Sequence, residues 1–252
     1  ISDKLSLGAG MSIQYASADL KLSMNPQNPG AMTSEVDADS LAWGFNVGLM
    51  WSPLENLRFG LSYRSRINHN ADGDLEIRRD GYSLPLMDAT ATISTPAWAM
   101  ATAAWDVNDL LSLYATFRWT DWSSFKELTI ESVQSNTIHN EWQDTYLVSV
   151  GADLRFTNWW TFRAGIGYET SAVDDPKYRT AIIPDADRLW LALGSSFKAT
   201  ENMQIDVSAA WLHGIGERNL WGSTKQDGSD LREVGKFEDL DAYLFGVQLV
   251  YK

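Results

Sequence analysis

The chain has no cysteine, so it holds no disulfide framework, no thiolate metal site and no thiol nucleophile. Such an absence fits a protein of the cell envelope. Basic residues are few: 20 Lys and Arg stand against 33 Asp and Glu, a net charge of −13. A nucleic-acid partner, which needs a basic face, is excluded. There are only 3 histidines, far apart at His69, His139 and His213, and no close set of metal ligands accompanies them. No window approaches the roughly 18 consecutive apolar residues of a spanning helix. The opening Ile1-Ser2-Asp3-Lys4 lacks the basic and apolar regions of a signal peptide, so an exported protein is read here as mature chain or part of it.

What the chain has in excess is aromatic: 12 Trp, 9 Tyr and 9 Phe in 252 residues. Each indole N–H wants a partner, so a soluble core rarely uses so many tryptophans. Trp and Tyr are favoured where one end of the ring is wet and the other apolar, as at a membrane interface.

The stretch Asn158–Glu169, NWWTFRAGIGYE, shows how they are arranged. Trp160, Phe162, Ala164, Ile166 and Tyr168 alternate with Thr161, Arg163, Gly165, Gly167 and Glu169. A strand sends successive side chains to opposite faces, so one face is apolar with aromatics at both ends and the other small, polar or charged. The same alternation recurs along the chain and predicts about ten strands with no competing helical period. Short turns at 52–56, 107–109, 157–158 and 199–202 alternate with long acidic connections at 20–41, 68–91, 121–143, 170–187 and 213–239. That is an up-and-down meander with one plain end and one elaborate end.

In a soluble barrel the apolar set would point inward. Here it carries Trp43 and Trp51, Trp105, Trp119, Trp160 and Tyr168, Trp211, Tyr243 and Tyr251 at strand ends, two girdles around an aliphatic band. A lipid-facing band with girdles, a polar lumen, short turns and long loops predicts an all-β, antiparallel, up-and-down transmembrane β-barrel, one domain over 1–252. Only helices and closed barrels satisfy the backbone in lipid.

Several blocks resemble the long-chain fatty acid transporter family of Gram-negative outer membranes, which also includes aromatic-hydrocarbon uptake channels. They are WTDWSSFKEL (119–128), the segment 158–194 with its Ile-Pro-Asp-x-Asp-Arg-x-Trp, AAWLHG (209–214), AYLFGVQLVY (242–251) and DKLSLGAGMSIQYASADL (3–20). The resemblance spans nearly the whole chain. It implies a fourteen-stranded barrel with an N-terminal hatch bearing Asn-Pro-Ala. The hatch, its motif, about four leading strands and the family's lateral exit have no counterpart here, and Lys252 stands where a terminal aromatic is common. The expectation is a C-terminal portion of the barrel or a reduced form of it. Ten strands folding alone would have to close as a smaller ring, because open edges are costly in hydrocarbon.

Candidate site residues follow from faces and loops. Arg188, beside Trp190, lies on the lumen face and is suited to a fatty-acid carboxylate; the alternative is a lumen ion pair with Asp153, Asp206 or Glu169. Trp122 and Phe125 sit where a strand enters a long loop, as an acyl-chain groove or as girdle. Trp142 and Ile138 lie at the other end of that loop and could share the groove. His139 resembles a histidine in the family's corresponding loop, and Ile138 stands near a lysine of some members, a loss that admits an uncharged ligand. Asp72–Asp74 and Asp37–Ser40 could bind calcium but read better as solvated acidic loops.

The expected function is uptake of hydrophobic compounds, above all long-chain fatty acids, across the outer membrane of a Gram-negative bacterium. No catalytic residue, metal or cofactor is assigned. Partners are the hydrophobic ligand, membrane lipid and lipopolysaccharide, with no nucleic acid, and the resemblance implies a monomer. The alternatives are an aromatic-hydrocarbon channel of the same family, an outer-membrane protease or acyl hydrolase with His213 near Asp187 or Asp185 at the rim, and a lipocalin-like soluble barrel.

Overall fold

The structure, a computed structural model, describes residues 2–23, 32–79, 82–125, 127–131, 136–139, 141–179, 184–222 and 231–251. The strands are β1 (Leu5–Ser23), β2 (Met32–Leu54), β3 (Leu57–Arg64), β4 (Ile67–Arg79), β5 (Tyr82–Ser83), β6 (Met87–Thr95), β7 (Trp98–Asp106), β8 (Leu111–Thr120), β9 (Glu127–Glu131), β10 (Asn136–His139), β11 (Thr145–Arg155), β12 (Trp160–Glu169), β13 (Asp187–Lys198), β14 (Met203–Ile215), β15 (Asn219–Gly222), β16 (Arg232–Lys236) and β17 (Asp241–Tyr251). Many are consecutive pieces of one pass: β3 with β4, β5 to β7, β8 with β9, β10 with β11, β14 with β15, β16 with β17. Counted so, ten passes run in sequence order, each antiparallel to the next. This is the expected meander, with all four short turns in place.

Register keeps the apolar set on one face from edge to edge. Ala103 lies opposite Ala115, which continues through Val150, Ile166, Leu191 and Trp211 to Tyr243. That face is bare: Met11 is 77% exposed, Phe245 81% and Val247 80%. Aromatics bound it at both levels. Trp51 stacks on Phe59 at 5.7 Å and Phe156 on Trp160 at 4.9 Å near the short turns, while Phe117 lies 6.1 Å from Tyr146 near the long connections. From Trp43 to Trp51 the strand rises about 26 Å at about 3.3 Å per residue. Tilted about 35–45° as barrel strands are, that spans about 20 Å, most of an apolar band about 25 Å tall.

The first two long connections differ from the expectation of loops. Their described residues are largely strand: β1 and β2 pair from Leu5–Trp51 out to Ser23–Thr33, and β4 and β6 continue the wall from Ile67–Thr95 to Leu75–Met87. The alternation never stops there. Val36, Ala38, Ala71 and Leu75 bury their side chains against Ile77 and Met87 in a small core of their own. Because Thr, Ser and Asp dominate the other face, the apolar signal is thin and turn residues mislead. The acidic tripeptide at 72–74 and the tetrapeptide at 37–40 therefore lie on paired strands, Asp37 opposite Asp74 and Asp39 opposite Asp72, rather than in calcium-binding loops.

Among the described residues, β1 pairs only with β2 and β17 only with β14. Closure of these ten passes into a smaller ring is not seen, and two edges stand unpaired.

Candidate functional site

The other face of the sheet carries the polar set, and its charges stand in tiers. Nearest the short turns, Asp106 accepts from Arg58 at 3.1 Å and lies 3.4 Å from Arg155, with Ser112 also bonded to it. On the same rungs further along the wall, Asp153 accepts from the Tyr114 hydroxyl at 3.1 Å and from Arg163 at 3.4 Å. Asp206 lies 3.6 Å from Arg163 and takes hydrogen bonds from Gln204 and Ser196. Nearest the long connections, Glu169 accepts from Arg118 at 2.7 Å and from the Trp190 indole at 3.2 Å, with Arg188 at 3.6 Å. Charges of both signs stand together, the arginines a third to nearly half exposed, and each is hydrogen-bonded.

Arg188 thus has the lumen position expected of it, and it has partners. Register sets Glu169 opposite Arg188 across β12 and β13. A second carboxylate, Asp185, also bonds Arg188. Asp185 is buried and reaches the other way as well, accepting from the Ser171 hydroxyl at 2.8 Å and the Ala172 N–H at 2.7 Å. One side chain therefore fixes both the lumen cation and the loop at 171–173.

That loop carries the rim cluster. Trp122 lies 5.2 Å from Trp142 and 6.5 Å from Phe125, and Phe125 lies 4.9 Å from Trp142, centre to centre. Ala172 and Val173 complete this small core. A single turn at Trp122–Ser124 presents the first two rings, closed by the Phe125 N–H on Trp122 O at 2.9 Å. Asp144 holds the turn, accepting from Ser123 N–H at 3.1 Å and from the Trp119 indole at 2.7 Å. Burial would raise the Asp144 carboxyl, but the hydrogen bonds from Ser123 and Trp119 outweigh it and hold the group below the usual carboxylate range. The indole nitrogen of Trp142 is buried with no hydrogen-bond partner.

Trp122 belongs to two places at once. Besides the rim cluster it lines a cavity of about 420 Å³ on the lumen face, together with Trp98, Arg118, Glu169, Arg188 and Trp190. The size is that of a small-ligand site. So the structure brings Trp122, Phe125 and Trp142 into one cluster and Trp122, Arg188 and Trp190 into one cavity. Ile138 and His139 lie on β10, and their side chains fall outside the described residues. Trp98 and Glu169 were not singled out as ligand-lining residues, although parity offered both: Trp98 falls on the opposite face from Trp105, and Glu169 closes the polar set of β12.

A larger depression of about 1080 Å³ lies on the apolar face, among Leu113, Val150, Ile166, Leu193 and Trp211. It shares that face with the girdles. Two of the histidines have described side chains. His69 is buried in β4, bonded to Ser40 at 3.2 Å and near Gln14 at 3.3 Å. His213 pairs with Asp241 at 2.6 Å, not with Asp187 or Asp185, which are engaged with Tyr168, Ser171 and Arg188.

Known proteins share this chain's sequence pattern and fold. A sequence model of the family described as "Outer membrane protein transport protein (OMPP1/FadL/TodX)" matches residues 1–252. The long-chain fatty acid transport protein of Salmonella typhi is 29% identical over 247 residues, covering 85% of this chain and 57% of that protein. The 47 kDa outer membrane protein of Pasteurella multocida (strain Pm70) is 26% identical, covering 99% of this chain and 59% of that one. Among solved structures, a Pseudomonas aeruginosa FadL homologue superposes with a TM-score of 0.79 at 25% identity, over 100% of this chain and 65% of that one. The Ralstonia pickettii toluene transporter TbuX superposes at 0.65 and 17% identity, over 100% of this chain and 64% of that one, a likeness of fold. The chain thus spans under three fifths of these two curated relatives. A match from the first residue to the last leaves no doubt of kinship: this chain belongs to the FadL/TodX family of outer-membrane transport proteins of Gram-negative bacteria.

Proposed function

We propose that the chain forms the greater part of the wall and the ligand path of a channel that takes long-chain fatty acids across the outer membrane, its two open edges paired in the whole protein by strands outside these residues. The observation that carries this reading is the double membership of Trp122. The rim cluster offers apolar surface beyond the membrane, and the same ring opens onto the arginine-lined lumen cavity. An acyl chain leaving water would meet aromatic surface first, then a cavity with guanidinium groups for its carboxylate. The relatives named for long-chain fatty acid transport support this reading. In the full protein no reaction occurs; binding and release do the work.

One observation favours an uncharged aromatic hydrocarbon instead. Arg118 and Arg188 already share Glu169, and Arg188 also holds Asp185. The test is uptake of labelled long-chain fatty acid and of a monoaromatic hydrocarbon by cells that lack their own transporter and express the full gene. Fatty-acid uptake reduced by Trp122→Ala supports the reading. Hydrocarbon uptake alone moves the ligand class, and uptake of neither overturns the transport reading.

A further inference from the structure

Three guanidinium groups line the lumen cavity, those of Arg64, Arg118 and Arg188, against one carboxylate, Glu169. Arg118 and Arg188 are paired with carboxylates. Arg64 is not. Its hydrogen bond is to a neutral acceptor, the Ser12 hydroxyl, at 3.2 Å. Arg64 ends β3, opposite Asn46 of β2, and Ser12 lies one strand further on, opposite Gly44. Gly44 is covered closely by Ile67 and Ser65. A Cβ there would sit 2.6 Å from Ile67 and 2.9 Å from the Ser65 hydroxyl, two groups of the same cavity wall.

We infer that Arg64, not Arg188, takes the anionic headgroup of the ligand, and that the cavity therefore selects a carboxylate-bearing amphiphile over an uncharged hydrocarbon. The inference rests on the transport reading above and names the ligand class within it. A half-buried guanidinium with only a hydroxyl to bond has unused donors in a fork that matches a carboxylate. A carboxylate would complete it with charge-assisted hydrogen bonds, about twice as strong as neutral ones. With Asp185 on Arg188 counted, three guanidiniums face two carboxylates, an excess of one positive charge, so an anion gains there and a cation loses. Trp98, Trp122, Trp190 and Ile67 of the same lining receive the first carbons of the chain.

The test uses the full polypeptide encoded by the gene, purified in detergent, with tryptophan fluorescence as the readout. Palmitate and the matching C16 alcohol are titrated into the unaltered protein and into Arg64→Gln. The unaltered protein should favour the acid. Arg64→Gln should weaken acid binding about ten- to a hundredfold, the worth of hydrogen bonds to a charged group, and leave the alcohol within about twofold. Arg64→Lys, which keeps the charge but not the fork, should fall between. Acid binding unchanged in Arg64→Gln overturns the role of Arg64 while leaving transport standing. Binding of neither ligand by the unaltered protein overturns the transport reading and this inference with it. Should Arg64→Gln fail to fold, competition on the unaltered protein decides. A C16 alkyl sulfate should displace palmitate and the trimethylammonium of equal length should not; equal displacement by both overturns the inference.

Discussion

Trp119 donates its indole N–H to Asp144 at 2.7 Å, and the same carboxylate accepts from Ser123 in the turn that presents Trp122 and Phe125. A girdle residue and the rim cluster are thereby tied through one ionised group. The Asp144 carboxyl is held below its ordinary value. A depressed carboxylate contributes stability that is full above the unfolded value, about 3.9, and lost as pH falls through the folded one. The near-ultraviolet circular dichroism of the clustered rings should therefore hold from neutral pH to about pH 4 and fade below it. Asp144→Asn should weaken the turn by about 1.5–3 kcal/mol and flatten that pH profile. An acid transition of the same shape in both proteins would show that Asp144 does not hold the turn.

Trp142 poses a different case, because its ring is well packed while its N–H is buried without a partner. Trp142→Ala removes the centre of the cluster and should cost about 3–5 kcal/mol of local stability. Trp142→Phe keeps most of the ring and deletes the unsatisfied donor, whose burial costs about 1–3 kcal/mol. The phenylalanine variant should match or exceed the native resistance of the rim to proteolysis, and the alanine variant should be cut readily. Equal loss of resistance in both would mean that the indole N–H finds a partner in solution.

The barrel wall was legible because alternation is a strong, local signal. Trp160 to Tyr168 announces a strand with a lipid face without any tertiary information. The outer hairpins were not, because Val36, Ala38 and Leu75 sit among acids and small polar residues. Their burial depends on a partner strand dozens of residues away. The lumen was legible as a set of faces but not of pairs. Arg188 and Glu169 were both assignable to it by parity, yet their adjacency needs the register of β12 on β13. Why Arg188 has two carboxylate partners and Arg64, among the described residues, only the Ser12 hydroxyl could not be read from either residue's neighbours in sequence. It follows from Asp185, three positions before Arg188, turning back from the loop.

Glu169 is the shared member of the upper tier, its side chain 7% exposed against 37% for Arg118 and 33% for Arg188. Glu169→Gln leaves Arg118 without its carboxylate partner and weakens the hold on Trp190. Arg188→Gln leaves Glu169 on Arg118 and Asp185 on its backbone donors. The first should cost about 1.5–3 kcal/mol and the second less, because an isolated partly buried charge is worse than a shortened network. Urea unfolding in detergent gives the order. Arg188→Gln proving the more destabilising would place the centre of the network on Arg188.

The assignment of faces can be tested at one height of the wall with two arginines. Val150 points to the apolar side and is 53% exposed. Thr116, on the neighbouring strand, lies opposite Ser149 on the lumen side. If the apolar face meets lipid, Val150→Arg places a charge in the aliphatic band and should cost about 2–4 kcal/mol. Thr116→Arg adds a cation to a polar lumen whose other charges are hydrogen-bonded and where water has access, and should cost less. A soluble barrel with the apolar set inside predicts the same order with a wider gap, Thr116→Arg harmless at the surface and Val150→Arg far beyond that range in a tightly filled core. The lipid reading also requires the Val150→Arg cost to shrink toward the girdles. Tyr146→Arg, two positions along the same face beyond Val148, should cost only about 0–1 kcal/mol of charge burial because a guanidinium there reaches the headgroups. A penalty that stays constant from Val150 to Tyr146 would argue for a uniform protein core on that side rather than a membrane with a middle and an edge.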